Sequence, residues 1–141
     1  MTEDIVTLFQ QARKLPRDSV RENRIVSFLK EMPEDSRASV VIAEINAGNQ
    51  ASLVIANRVI NDPAGAGKIF DASLRVADAQ SMRQVLEFGI TKLGARAALS
   101  ILLKTEPRVV EKASYWLPAL VPGQEWEKLK PLLSANKEER L

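Results

Sequence analysis

Residues 38–60 read Ala38-Ser39-Val40-Val41-Ile42-Ala43-Glu44-Ile45-Asn46-Ala47-Gly48-Asn49-Gln50-Ala51-Ser52-Leu53-Val54-Ile55-Ala56-Asn57-Arg58-Val59-Ile60, the most apolar run in the first half of the chain. Val40, Val41, Ile42 and Ile45 precede Gly48, and Leu53, Val54, Ile55, Val59 and Ile60 follow it, at the three- and four-residue spacing of one helical face. Gly48-Asn49 has the chemistry of a C-cap followed by an N-cap. The stretch therefore reads as two helices folded back in a tight hairpin. No part of the chain shows sustained strand-like alternation bounded by turn dipeptides.

On the amino-terminal side, Ile5, Leu8, Phe9 and Ala12 share a face of a first helix, capped by Thr2 and closed by Pro16. Val20, Ile25, Phe28, Leu29 and Met32 mark a second, capped by Asp18 or Ser19 and ended by Pro33. On the carboxyl-terminal side a loop is expected at Asp62-Pro63-Ala64-Gly65, then helices through Phe70 and Leu74, over 81–93 and over 96–104, with breaks near Asp78 and Gly94. The 97–103 run is apolar almost all round, which predicts a place in the centre of a bundle or in a subunit contact. Pro107 opens a further helix through Val109, Val110, Ala113 and Trp116, ended by Pro118 and Pro122-Gly123. Trp126, Leu129, Leu132 and Leu133 form a last segment that Pro131 must kink or divide. The expected fold is all-α: eight or nine short helices in antiparallel pairs, one domain over 1–133, then a polar tail over 134–141.

Composition sets the outer limits. With 141 residues, the chain is long enough to bury about 68–70% of its unfolded surface in one core. Hydrophobic residues are 45% and charged residues 27%, which separates it from chains that stay disordered. It has no cysteine and no histidine. Disulfides, thiolate metal sites, a thiol nucleophile and the commonest general base are thereby excluded. The acidic start, Met1-Thr2-Glu3-Asp4, lacks the basic and apolar regions of a signal peptide, so a cytoplasmic protein without a membrane span is expected. Net charge is only +2, and only 63–104 is basic, with six basic residues against three acidic ones.

A faint internal match lays 38–44 on 72–78, a shift of 34 residues. A second lays 37–40 on 96–99, in a different register. Periods of about 30 to 45 residues belong to stacked helical pairs. Short helices joined by tight turns over 3–120 resemble HEAT- or armadillo-type repeats in architecture, and that resemblance implies a short α-solenoid. An irregular helical bundle stays open beside it.

Candidate chemistry is sparse. Gly65-Ala66-Gly67-Lys68 resembles the end of a phosphate-binding loop, but Asp62 stands where the first glycine belongs and Ile69 where magnesium needs a hydroxyl. A connector opening a helix, with at most a modest anion site around Lys68, is the reading that remains. Arg17, Arg21 and Arg24 share a helical face, but Asp18 and Glu22 lie interleaved with them, as on a solvated surface. A looser basic set, Lys68, Arg75, Arg83, Lys92 and Arg96, would form a positive strip for nucleic acid or another anion if the fold aligned its helices. Asp71 and Asp78 are seven apart, and Glu31, Glu34 and Asp35 cluster near a turn. Capping or surface roles suit these carboxylates better than catalysis, and no metal or cofactor is expected. Tyr115 and Trp116 are either an exposed protein-binding anchor or, with Trp126, packing for the last helix.

The leading expectation is a non-enzymatic protein-interaction or assembly module that binds a protein partner or itself. Nucleic-acid binding by the basic strip is the alternative, and a carboxylate-dependent small-molecule enzyme ranks third.

Overall fold

The computed structural model describes residues 19–47, 52–78 and 81–140, with side chains to 135. The described residues form eight helices and no strand: α1 (Ser19–Lys30), α2 (Glu34–Asn46), α3 (Ser52–Val59), α4 (Pro63–Val76), α5 (Met82–Leu93), α6 (Ala95–Leu102), α7 (Pro107–Leu120) and α8 (Gly123–Arg140). The helix expected over 2–12, Pro16, and the Gly48-Asn49 corner lie outside the described residues.

The helices flanking that corner form as their pattern demands. Val41 and Ile45 of α2, and Ile55, Ala56 and Val59 of α3, are buried, while Ser39, Asn57 and Arg58 face out. The two helices pack together as the hairpin reading requires.

Among the described residues every substantial contact joins helices that are consecutive or separated by one. The alternate contacts form two series: α1 on α3, α3 on α5, α5 on α7; and α2 on α4, α4 on α6, α6 on α8. One continuous core follows, from Ile25 and Leu29 through Val41, Ile55, Ile69, Phe70, Leu86 and Leu99 to Leu117 and Leu133.

Glycine permits a close approach in that core. At Gly89 in α5, a Cβ would lie 2.5 Å from Cε1 of Phe70 in α4. Phe70 is itself fully buried. Gly94 ends α5 at φ 86°, a conformation that side-chain-bearing residues resist, and α6 starts at the next residue.

Several boundaries differ from expectation. The residues read as a loop at 63–65 are the first turn of α4: Pro63 fits the first helical position and Asp62 Oδ1 accepts the Ala64 N–H at 3.3 Å. Pro118 lies inside α7, and the helix over 123–140 is unbroken across Pro131, continuing through the stretch read as a tail. A single missing N–H costs one bond in each, and the buried stripe continues on both sides, at Leu117 and Val121 and at Leu129 and Leu133. The 97–103 run is one-sided: Ala95, Ala98, Leu99 and Leu102 are buried, while Arg96, Ala97 and Ser100 face out. Alanine is small enough to stand on an exposed face, which a count of apolar residues overlooks.

The 34-residue match does not share a packing register either. It lays buried Val41 on exposed Arg75. Counted from their helix starts, Val41, Glu44 and Ile45 correspond instead to Phe70, Ser73 and Leu74, all buried.

Candidate interaction surface

Tyr115 and Trp116 are neighbours on α7, one helical step of about 100° apart, so they cannot share a fate. Trp116 is half-buried against the core. Tyr115 is 78% exposed, the most exposed of the large hydrophobic side chains among the described residues. Their rings meet edge to face at 5.0 Å and 90°. From α5, the Arg83 guanidinium lies 5.9 Å from the Trp116 ring centroid and its Nε donates to Glu87 Oε1 at 3.1 Å. The packing of α5 on α7 thus assembles a small surface with a projecting phenol, an indole edge and an ion pair. Trp126 is likewise half-buried, so the two tryptophans pack helices and only the tyrosine projects.

The basic set is not gathered into a strip of unengaged charge. Arg75 pairs with Asp71 one turn away, Nε to Oδ2 at 3.1 Å and Nη2 to Oδ1 at 3.3 Å. Arg83 pairs with Glu87, as above. Lys92 is half-buried, and its ammonium donates to the Asn57 carbonyl of α3 at 2.8 Å. Lys68 and Arg96 are exposed. Arg96 borders an open cleft of about 430 Å³ with Pro122, Gln124, Glu125, Lys128 and Leu129. The start of α4 near Lys68 holds two carboxylates, because Asp62 caps it and Glu34 Oε1 accepts the Asn61 and Asp62 N–H groups at 2.5 and 2.8 Å. That placement works against an anion at Gly65-Ala66-Gly67-Lys68.

Arg17 lies outside the described residues. Arg21 and Arg24 are on α1, but Glu22, read as part of the same solvated face, is only 7% exposed.

The carboxylates act on the fold. Asp78 lies beyond the end of α4 and so does not share its face with Asp71; its Oδ1 accepts the Ser81 N–H at 2.7 Å. Glu34 is the exception in electrostatics: the Asn61 and Asp62 N–H groups, aided by the charges of Arg37 and Lys92, hold its carboxyl below the ordinary value of 4.5. Among the described residues no group of three or more acidic side chains is placed to hold a metal ion.

Arg37 escaped the reading of the sequence. Its Nε, Nη1 and Nη2 donate to the carbonyls of Met32, Val59 and Lys30 at 2.9, 3.0 and 2.9 Å. One guanidinium thus ties the ends of α1 and α3 to the start of α2. It satisfies carbonyls that helix ends leave open. Glu34, three residues earlier, does the same for N–H groups. A lone arginine on a helix carries no periodic signature, so only the tertiary fold reveals the knot.

Among the described residues no helix is long and apolar enough to cross a membrane. Compared with known proteins, the chain matches no protein-family model, no curated protein and no solved structure.

Proposed function

We propose that this chain is a non-enzymatic protein-interaction module of the cytoplasm, whose stacked helices resemble those of HEAT and armadillo repeats. The observation that carries the reading is Tyr115, 78% exposed beside a half-buried tryptophan and the Arg83–Glu87 pair. A tyrosine anchored at the rim of a packed indole offers a large, stiff contact area with little rotamer entropy to lose. Packing that, among the described residues, joins mainly near neighbours supports the repeat-like reading, since such stacks gain function from extended surface rather than an enclosed pocket. The absence of cysteine suits a reducing compartment.

The test is capture from a lysate by the immobilised chain, run beside a Tyr115→Ser variant, with light scattering on the purified protein. A protein retained by the parent chain and lost with Tyr115→Ser is the expected outcome. A strict monomer that retains nothing, or retention indifferent to Tyr115, overturns the proposal.

A further inference from the structure

The last helix is held by fewer buried side chains than the others. Among the described residues α8 makes its substantial contacts with α6 and α7. Over residues 123–135 only Leu129 and Leu133 are buried, and Trp126 is half-buried. These three recur at i, i+3 and i+7, a single narrow stripe. The side chains around them face out, including Leu132 at 41% exposure. Pro131 supplies no N–H to the carbonyl of Glu127, so the ladder lacks a bond in its middle. By contrast, α4 buries six of its 14 residues. A helix with few buried anchors and an interrupted ladder belongs to the part of a fold that opens first.

The connection to α7 is only Val121 and Pro122. Val121 is extended, at φ −101° and ψ 131°, the conformation a following proline favours. Pro122 thereby keeps α7 and α8 from fusing into one helix, whichever way α8 points.

We propose that α8 is an exchangeable cap: it leaves the groove on α6 and α7 as a unit, and α8 of a second copy takes its place. The occupant follows from the structure, because the fit of Trp126, Leu129 and Leu133 to that groove already exists within one chain. A second copy brings the same three side chains at the same spacing. Within one chain the short tether gives α8 an effective concentration on the order of millimolar, so exchange between copies occurs only in concentrated solution. The proposal uses none of the residues around Tyr115, and either reading can fail alone.

The test uses the full chain and a fluorescent synthetic peptide of residues 123–140. Weak binding to the parent chain is expected. Binding becomes about thirtyfold tighter when the full chain carries Leu133→Ala, because its own cap then competes less well. It becomes about thirtyfold weaker when the peptide carries Leu133→Ala and the chain does not. Circular dichroism confirms that the variant chain is folded; if it is not, Trp126→Ala, at a half-buried position, takes its place. A peptide that binds neither chain, or whose affinity is indifferent to the substitution on either side, overturns the proposal.

Discussion

Replacing Gly89 with alanine tests the packing of α4 on α5. In an exposed helix the change would stabilise by about 1 kcal/mol, because alanine restricts the unfolded chain and suits the helix. Here the new methyl would meet Cε1, Cδ1 and Cζ of Phe70 at 2.5, 2.6 and 2.7 Å. Ordinary contact begins near 3.4 Å, so ring or helix must move by nearly 1 Å. Phe70 has no exposed side toward which to yield, and overpacking of this kind costs about 1–3 kcal/mol in itself. Set against the propensity gain of about 1 kcal/mol, the clash leaves a net loss of up to about 2 kcal/mol, or up to about 8 °C in Tm. Gly67→Ala is the control within α4. Its methyl meets only Ile101 Cδ1, at 3.6 Å, so a gain of up to about 1 kcal/mol is expected. Thermal and urea melts of both variants, and of Gly89→Ala combined with Phe70→Leu, complete the experiment. Because leucine is smaller than the ring it replaces, the double variant should escape most of the clash, measured against Phe70→Leu alone. If Gly89→Ala stabilises as much as Gly67→Ala does, the ring is not where the packing requires it.

Arg37→Ala leaves three backbone carbonyls without their donor and should cost about 2 kcal/mol in a urea melt, against little change for exposed Arg96→Ala. Glu34 has a folded-state pKa below its ordinary 4.5, so its contribution is present above that value and is lost as pH falls through the lower folded value. Melts across pH 2–6 should show this acid-side loss of stability, reduced in Glu34→Gln. Tyr115→Ser should change stability by no more than about 0.5 kcal/mol while abolishing partner retention. If nucleic acid binds only through Lys68 and Arg96, the other three members of the basic set being engaged within the fold, a duplex DNA titration should give a log–log salt slope no steeper than about −2. A slope near −4.5 would restore all five cations as phosphate contacts.

The helices at residues 38–60 were legible because burial selects apolar side chains at helical spacing, and Pro107, Gly94 and Pro33 punctuate the chain where helices do begin or end. Pro118 misled as a helix end and Pro131 does not divide its helix, since proline removes one bond of the ladder and the helix can run on past it. The partners of the basic set were legible only in part. Asp71–Arg75 and Arg83–Glu87 are pairs four residues apart that helical spacing itself brings together, whereas only the fold brings the Asn57 carbonyl to Lys92. Tyr115 and Trp116 were legible as a candidate pair. Their division into one projecting and one packed ring depends on where α5 lies.

All of this rests on helices that pack in the order of the chain. Nuclear Overhauser contacts between methyl and aromatic groups test that order directly. Contacts should run from Ile55 in α3 to α5, from Phe70 in α4 to Gly89 in α5 and from Ile101 in α6 to Gly67 in α4, with no strong set between α1 and α7. Strong contacts between Ile25 or Leu29 of α1 and Val110 or Leu117 of α7 would contradict it.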